Sequence, residues 1–239
     1  MRILLPMAGA GKRFQECGYD LPKPLIDVNG KPMIERVVEN LGLENDYIFI
    51  LQEEHYGQYA SQLENAWRNV NSRRLVYTNG LTQGAACTAL LAEQFIDDLD
   101  PLMIANCDQV MEYNRQEFYD WFYTADIEGA VFTFNSRSPK HSYVRLDEDG
   151  KYIVEVAEKL VISNIATVGV YCWKRGADFV HAAGMMIRNN VRTNNEFYIA
   201  PSINQNLIDD ARFETYHIRR HHPIGTPEEL IKYLNYKGI

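Results

Sequence analysis

The chain has 239 residues, 46% hydrophobic and 23% charged, with a formal net charge of −8. This composition is typical of a folded globular protein and excludes a chain that is disordered throughout. The acidic balance argues against a nucleic-acid partner, because a bulk grip on DNA or RNA requires a positive surface.

Short apolar runs alternate with longer amphipathic stretches through the first half of the chain. The runs predict strands at residues 2–6, 47–51, 74–77, 102–105 and 129–134. The stretches predict helices at residues 31–41, 55–69, 82–93 and 115–124. Strands that alternate with helices are typical of parallel β-α-β units, so the sequence predicts a layered α/β fold.

The pattern changes after about residue 136. Strands are predicted at residues 142–146, 152–157 and 167–173, with a turn at residues 147–150. Helices are predicted at residues 176–188, 197–207 and 227–234. Because no low-complexity linker separates the two parts, we expect a single domain over residues 1–239, whose second part is a lid or wall on the first sheet.

The cysteines and the first apolar run indicate the cellular compartment that we expect for the protein. Cys17, Cys87, Cys107 and Cys172 form no CxxC pair, so neither a zinc site nor a disulfide framework is expected. The apolar run at residues 3–5 is too short for a signal peptide or a membrane span. We therefore expect a cytoplasmic protein with reduced thiols and no membrane partner.

A glycine-rich segment, PMAGAGKRF, follows the first predicted strand. Ligands bind beyond the carboxyl ends of strands in open parallel sheets. Gly9 and Gly11 let backbone N–H groups approach an anion, and Lys12 and Arg13 add positive charge. Lys23 follows between two prolines, which restrict its backbone and direct its ammonium group to the same pocket. Local chemistry leaves two interpretations open, a phosphate-binding loop or a turn with solvated basic residues.

Three blocks in order resemble the signature of the sugar-phosphate nucleotidylyltransferases, also called nucleotide-sugar pyrophosphorylases. They are MAGAGKRF at residues 7–14, PKPL at residues 22–25 and GKPMI at residues 30–34. Weaker similarities extend over nearly the whole chain: QGAA at residues 83–86, NCD at residues 106–108, EK at residues 158–159, TVGVY at residues 167–171, NEFY at residues 195–198 and GTP at residues 225–227.

The resemblance implies a fold and a reaction. The fold is the nucleotide-diphospho-sugar transferase type, a three-layer α/β/α Rossmann-like arrangement with a mixed, mostly parallel sheet. Residues up to about 135 would bind the nucleotide, and residues from about 136 would bind the sugar phosphate. An oxygen of a sugar 1-phosphate, or of a similar phosphorylated acceptor, attacks the α-phosphorus of a nucleoside triphosphate and releases pyrophosphate. Members serve nucleotide-sugar and polysaccharide biosynthesis; a homo-oligomeric state is left open.

The resemblance also assigns residues on the nucleotide side. Arg13 is expected to stabilise charge on the leaving pyrophosphate, and Lys23 to lie near the α-phosphate. Asp108 is expected to hold Mg²⁺, an ion that usually takes one or two carboxylates and substrate phosphates. Gln83 is expected to read the base edge, since its amide offers donors and an acceptor. The residues expected to bind the nucleotide are Ala8, Gly9, Ala10, Gly11, Lys12, Gln83 and Gly84.

On the acceptor side, Lys159 is expected to grip the phosphate of the second substrate, beside Glu158. Glu196 is expected to accept hydrogen bonds from sugar hydroxyls, and Thr167 to contact the sugar or its phosphate. Structural alternatives remain open for these residues. Lys159 is also compatible with a solvated strand position, and Glu196 and Thr167 with ordinary helix-start and strand positions. Likewise, Asp108 is compatible with a capping acid and Gln83 with a helix N-terminal side chain.

Several positions depart from the family pattern. Lys12 replaces a small hydroxyl residue, and Leu160 stands where proline is frequent. Pro223 replaces a second metal-binding aspartate, so either the first carboxylate and the phosphates hold the ion or another acid substitutes. His221 and His222 precede it and are alternative metal ligands, but adjacent residues of a strand point to opposite faces, so we interpret them as a polar surface pair.

Two other functions remain open. A glycosyltransferase that consumes a nucleotide sugar also places an acidic metal motif after a central strand, but Cys107 and Asp108 lack the paired Asp-x-Asp. A non-catalytic nucleotide-binding or regulatory module would tolerate Pro223. Release of pyrophosphate from a triphosphate and a phosphorylated acceptor distinguishes the transferase from both.

Overall fold

Strands and helices alternate through residues 1–236, the part of the chain that the computed structural model describes. The strands are β1 (Arg2–Pro6), β2 (Asp46–Gln52), β3 (Ser72–Thr78), β4 (Leu102–Ala105), β5 (Gln109–Glu112), β6 (Gly129–Asn135), β7 (Ser142–Leu146), β8 (Ile153–Glu158), β9 (Ile165–Trp173), β10 (Phe213–His217) and β11 (Arg220–Pro223). The α-helices are α1 (Lys12–Glu16), α2 (Met33–Leu41), α3 (Glu53–Ala66), α4 (Ala85–Leu90), α5 (Glu93–Ile96), α6 (Arg115–Thr124), α7 (Gly176–Arg188), α8 (Ile203–Ile208) and α9 (Pro227–Leu234).

The main sheet has the strand order β10-β6-β9-β4-β1-β2-β3. Strand β1 pairs in parallel with β2 and β4, whereas β9 runs antiparallel to β4 and β6. Strands β7 and β8 form a hairpin that joins the sheet through β9, and β5 pairs with β11 in a separate two-stranded sheet. This arrangement confirms the expected mixed, mostly parallel sheet.

Apolar side chains cover both faces of the main sheet, as a sheet flanked by helices requires. Helices α2, α3 and α6 contribute to the core on one face, and α4, α5, α7 and α8 contribute on the other. The buried Trp173 indole donates its Nε1 hydrogen to Asn206 Oδ1 at 3.0 Å, which satisfies its polar atom. A sheet between two helical layers confirms the three-layer fold. None of the helices within residues 1–236 is long and apolar enough to cross a membrane.

Most predicted elements are confirmed, and the differences have local causes. The helix predicted at residues 82–93 divides into α4 and α5 and begins only at Ala85. Gly84 has a φ of 134°, and a Cβ there would lie 2.4 Å from the carbonyl oxygen of Phe197. The helix predicted at residues 197–207 begins as a 3₁₀ turn at Ala200–Ser202. Elements α1, β5, β10 and β11 were not predicted.

The strand order creates a crevice between the carboxyl ends of β1 and β4. The chain leaves β1 towards β2 and β3 and later returns to β4 on the other side of β1. Open α/β sheets bind ligands at such switch points. An apolar cluster next to the crevice joins α1, the start of α2 and α9 through Phe14, Met33 and Leu230. This cluster packs α1, which follows the glycine-rich loop, against α9.

Candidate active site

The glycine-rich loop leaves β1 and turns directly into α1. Gln52 donates a side-chain hydrogen bond to the Ala8 carbonyl at 2.8 Å, which fixes the start of the loop. Gly11 precedes α1 with a φ of 64°, and a Cβ there would lie 3.3 Å from Lys23 Cβ. A side chain at this position would therefore strain the backbone and crowd the lysine. The glycine lets the loop and Lys23 meet.

Lys23 and Asp108 form an ion pair between the loop region and the segment after β4. Lys23 lies in a 3₁₀ turn over Lys23–Leu25, bracketed by the two prolines. Burial raises the pKa of Asp108, but the charge and hydrogen bond of Lys23, together with His221 and Arg13, hold this pKa below its usual value. Burial likewise lowers the pKa of Lys23, but Asp108 and Cys107 together raise it, so the pKa lies above its usual value. Both groups are charged over a wide pH range.

Gly225 makes room for the Asp108 carboxylate. A Cβ on this glycine would lie 2.5 Å from Asp108 Oδ2, closer than such atoms approach. The neighbouring Ile224 donates its backbone N–H to the Asp108 carbonyl at 2.9 Å. Thr226 then caps α9 by accepting a hydrogen bond from the Glu229 backbone at 3.2 Å. The segment with the GT motif therefore packs against Asp108 and fixes its position.

Two adjoining cavities meet at these residues. The first cavity, of about 570 Å³, contains Gly9, Ala10, Gly11, Lys12, Arg13, Lys23, Asp108 and Glu196 among its lining residues. The second cavity, of about 910 Å³, contains Glu158, Lys159, Thr167, Tyr198, His221 and Pro223 among its lining residues. Arg13, Asn106, Asp108 and Gly225 line both cavities. A site with two connected compartments can hold two substrates with their reacting groups at the boundary.

The wall of the second cavity carries three of the residues expected on the acceptor side, Glu158, Lys159 and Thr167, whereas Glu196 lines the first cavity. Lys159 has a φ of 55° and places its Nζ 4.5 Å from the centroid of the Tyr198 ring. Glu158 accepts a hydrogen bond from Ser142, and burial raises the pKa of this glutamate. The Thr167 hydroxyl lies 2.9 Å from the Tyr171 hydroxyl, so a buried polar network backs the cavity.

Gln83 and Gly84 stand at the rim of the site and line neither cavity. The Gln83 carbonyl accepts a hydrogen bond from the Phe197 backbone at 2.9 Å, next to Glu196 on the cavity wall. The Gln83 side chain is exposed, and its Oε1 accepts a hydrogen bond from Arg192 at 2.6 Å. The Phe197 backbone lies so close to Gly84 that no side chain fits there. This packing accounts for the glycine, whether or not a nucleotide binds nearby.

The interpretation of His221 and His222 as a polar surface pair is wrong. Their side chains do lie on opposite faces of β11, but both are largely covered. The His221 ring lies 4.7 Å from the Phe134 ring and lines the second cavity. Burial lowers the pKa of His221 to about 4, so this imidazole is neutral at physiological pH. His222 lies 2.9 Å from Glu112 and packs against Tyr233.

The side chains of the site provide few ligands for a metal ion that would be bound by the protein alone. No group of three His, Cys, Asp or Glu side chains within residues 1–236 could hold a metal ion. Pro223 lines the second cavity close to Asp108 and contributes no ligand atom. A magnesium site here would therefore depend on one carboxylate together with phosphate oxygens, which is a common way for proteins to bind Mg²⁺.

Sequence reasoning missed several residues of the cavities. Asn106 lines both cavities, and its backbone N–H donates to the Gly169 carbonyl at 2.9 Å. Its position directly after a buried strand and two residues before Asp108 is a signal that points to it. Tyr171 and Tyr198 end the TVGVY and NEFY motifs, but neither motif singles out its tyrosine as a site residue, and tyrosines are frequent throughout the sequence.

Comparisons with known proteins place this chain among nucleotidyl transferases. The sequence model of the family described as nucleotidyl transferase matches residues 3–236. The bifunctional protein GlmU of Methanocaldococcus jannaschii is 24% identical over 173 residues, which cover 72% of this chain and 39% of that protein. The mannose-1-phosphate guanylyltransferase catalytic subunit beta of Dictyostelium discoideum is 22% identical over 175 residues, which cover 72% of this chain and 49% of that protein. The chain thus matches less than half the length of these relatives.

Solved structures share the fold over almost the whole chain. The nucleoside-diphosphate-sugar pyrophosphorylase from Vibrio cholerae RC9 superposes with a TM-score of 0.84 at 21% identity, covering 98% of this chain and 100% of that one. A UDP-glucose pyrophosphorylase in complex with UDP-glucose superposes with a TM-score of 0.75 at 19% identity, covering 98% of this chain and 97% of that one. At these identities the likeness demonstrates a common fold.

Proposed function

The chain belongs to the nucleotidyl transferase family, and we propose that it transfers a nucleotidyl group from a nucleoside triphosphate to a sugar 1-phosphate or a similar phosphorylated acceptor. Pyrophosphate leaves, and a nucleoside-diphosphate sugar or its analogue forms. The observation that carries this proposal is the meeting of the two cavities at Arg13 and Asp108. One compartment holds Lys12 and Lys23 for the triphosphate, and the other holds Lys159 for the acceptor phosphate.

The reaction needs charge neutralisation and alignment at the boundary of the cavities. A phosphate monoester has a second pKa of about 6, so the attacking oxygen is already ionised near neutral pH. The attack forms a bond between this oxygen and the α-phosphorus, and the bond from the α-phosphorus to the bridging oxygen breaks. Arg13 stabilises the negative charge that moves onto pyrophosphate, and Lys23 neutralises the α-phosphate.

The second cavity orients the acceptor for this attack. The Lys159 ammonium binds the acceptor phosphate, and Glu158 and Thr167 offer hydrogen-bonding groups to the rest of the molecule. Glu196 lines the first cavity and accepts hydrogen bonds from substrate hydroxyls across the boundary. Holding the two substrates in line contributes to the rate because it converts a bimolecular encounter into an intramolecular step.

We propose Mg²⁺ as the cofactor, held by Asp108 and by the phosphates of the substrates. The single carboxylate at the boundary fits an ion that arrives with the nucleotide. When bound, the ion would reduce the negative charge of the phosphates and favour their approach. The carboxylate would then exchange its contact with Lys23 for the ion, which leaves the ammonium group to a phosphate.

We also place the protein in the cytoplasm, in the biosynthesis of nucleotide sugars for polysaccharides, and leave its oligomeric state open. Two features support this placement. The family reaction consumes a nucleoside triphosphate, which is abundant in the cytoplasm. In addition, the free thiols of Cys17, Cys87, Cys107 and Cys172 suit a reducing compartment.

A pyrophosphate-release matrix tests the proposed function. Purified protein with Mg²⁺ is incubated with each common triphosphate and a panel of sugar 1-phosphates and polyol phosphates. Pyrophosphate that requires both substrates and stops on chelation supports the proposal. Sugar transfer from a ready-made nucleotide sugar would instead identify a glycosyltransferase. Tight triphosphate binding with no product from any pair would identify a non-catalytic module.

A further inference from the structure

Lys159 follows the end of β8 in a backbone conformation that few side chains adopt. Its φ is 55°, in the left-handed region, and its backbone N–H donates to the His141 carbonyl at 3.1 Å. Successive residues of a regular strand point to opposite faces. After the left-handed turn, however, Glu158 and Lys159 both line the second cavity. Backbone strain of this kind persists only where the surrounding structure holds it, and it is frequent at binding sites.

Tyr198 lines the same cavity from a fixed stretch of backbone. Its neighbours in the chain, Phe197 and Ile199, are both buried. The Phe197 backbone N–H donates to the Gln83 carbonyl at 2.9 Å, and the Phe197 carbonyl accepts from the Ala86 N–H at 3.0 Å. These two hydrogen bonds tie the segment to the start of α4, so the tyrosine has a defined position.

The Tyr198 side chain holds the Lys159 ammonium group in two ways. Its hydroxyl accepts a hydrogen bond from Lys159 Nζ, and the centroid of its ring lies 4.5 Å from this nitrogen. Without these contacts an exposed lysine samples many rotamers, and a ligand that fixes it must offset the lost entropy. An ammonium group has several N–H donors, so a phosphate can bind to those that Tyr198 does not use.

We propose that Tyr198 is a positioning residue for the acceptor, because it holds the Lys159 ammonium group on the wall of the second cavity before the acceptor arrives. This inference rests on the proposed function, in which Lys159 binds the acceptor phosphate. A cation that is already fixed loses less freedom on binding, so the acceptor binds more tightly. Tyr198 therefore acts through Lys159, on the acceptor side of the site.

Substitution of Tyr198 should weaken acceptor binding selectively. We expect Tyr198→Leu to raise the KM for the phosphorylated acceptor at least about fivefold, because the variant loses both the hydrogen bond to a charged group and the cation–π contact. Tyr198→Phe keeps the ring and should raise this KM by a smaller factor. The KM for the triphosphate should change less than about twofold in both variants.

A double-mutant cycle with Lys159→Ala distinguishes positioning from direct contact with the acceptor. Once the ammonium group is gone, Tyr198 has nothing to position. Tyr198→Leu in the Lys159→Ala background should therefore change the acceptor KM less than about twofold. A further rise as large as that in the wild-type background would show that Tyr198 acts independently of Lys159, and this would overturn the inference.

Tyr152→Leu is the matched control. Lys151 Nζ lies 4.5 Å from the centroid of the Tyr152 ring, and neither residue lines either cavity. This variant removes a tyrosine beneath a lysine ammonium group, as Tyr198→Leu does, but outside the site. Its acceptor KM should equal that of the wild type. A rise as large as that of Tyr198→Leu would make the effect a general one and overturn the inference.

Calorimetric binding of sugar 1-phosphates and polyol phosphates, in the presence of each triphosphate, separates this inference from the proposed function. If no pair yields pyrophosphate, the proposed transfer fails, yet the acceptor dissociation constants still report on Lys159. A constant that rises in Tyr198→Leu, and rises no further when this change is added to Lys159→Ala, supports the inference without turnover. If pyrophosphate forms and Tyr198→Leu keeps the wild-type acceptor KM, the proposed function stands and the inference is overturned. Failure of every acceptor to bind the wild type would also overturn it.

Discussion

Lys23 and Asp108 stand 85 positions apart in the chain and form an ion pair where the two cavities meet. The proline-bracketed turn places the lysine, and the end of β4 places the aspartate. Each partner stabilises the charged form of the other against the effect of burial. A ligand that enters the boundary therefore meets an ammonium group and a carboxylate that are both already charged.

Loss of either partner should slow the reaction. We expect Lys23→Ala and Asp108→Ala each to lower kcat at least about tenfold, or about 1.4 kcal/mol in the barrier. The lysine variant loses a cation beside the α-phosphate and leaves a half-buried carboxylate unpaired. Steady-state pyrophosphate release at saturating concentrations of both substrates provides the measurement.

Lys31→Ala is the control for this pair of variants. Lys31 lies 3.3 Å from Glu35 in a partly exposed ion pair outside both cavities. Exposed ion pairs contribute about 0–1 kcal/mol to stability, so this variant should fold and turn over like the wild type. Wild-type rates in both Lys23→Ala and Asp108→Ala would contradict the roles assigned to them.

The sequence predicts the frame of the fold because its strands are apolar. Strands β1, β4 and β7 appear with the predicted bounds, as do helices α6, α7 and α9. Strands β5 and β11 were not predicted. Their sequences, QVME and RHHP, contain few apolar residues that would indicate a buried face. They pair across a long sequence separation, so their strand character arises from tertiary contact.

The same reason limits what the sequence reveals about the site. Motif spacing predicted Lys23 and Asp108 separately, and their ion pair follows from the position of β4 beside β1. His221 was interpreted as exposed because two adjacent histidines are polar. Its burial depends on Phe134 and His141, which come from a distant part of the chain. The residues next to His221 in the sequence do not indicate which distant residues will pack against it.

A methyl group at Gly225 should displace the Asp108 carboxylate. The new Cβ would lie 2.5 Å from Asp108 Oδ2, so the side chain must turn away from Lys23. We expect Gly225→Ala to lower kcat at least about tenfold with little change in the fold, because the clash involves one side chain. Steady-state kinetics and thermal unfolding together provide the measurement.

Gly57→Ala is the control for this variant. Nothing lies within 4 Å of a Cβ at Gly57, which belongs to α3. Alanine favours a helix over glycine by about 1 kcal/mol, so Gly57→Ala should be as active as the wild type and at least as stable. Equal kcat in Gly225→Ala and the wild type would show that the position of the carboxylate does not limit turnover.

Lys159→Ala should affect the acceptor side selectively. The ammonium group lines the second cavity and is absent from the lining of the first. We expect the KM for the phosphorylated acceptor to rise at least about tenfold, equivalent to about 1.4 kcal/mol, with a small change in the KM for the triphosphate.

Lys151→Ala is the control for the Lys159 variant. Lys151 also lies 4.5 Å above a tyrosine ring, that of Tyr152, and lines neither cavity. An effect confined to the triphosphate's KM would contradict the assignment.

His221 should make stability depend on pH between about 6.5 and 4. Burial lowers the pKa of the folded imidazole to about 4, whereas the unfolded value is about 6.5. In this window the unfolded chain takes up a proton and the folded protein does not, so stability falls as the pH falls. The loss should reach about 1–2 kcal/mol at about pH 5, after allowance for partial solvent contact.

Urea unfolding of the wild type and His221→Gln at a series of pH values measures this contribution. The free energy of unfolding of the variant should fall less steeply between about pH 6.5 and 4, because glutamine does not titrate. His141 remains in the variant, and burial lowers its pKa as well, so part of the slope persists. His181→Gln, which removes an imidazole whose side chain is 59% exposed, should follow the wild-type slope. Parallel curves for the wild type and His221→Gln would show that the His221 imidazole gains no proton on unfolding, which would place it in contact with solvent in the folded protein.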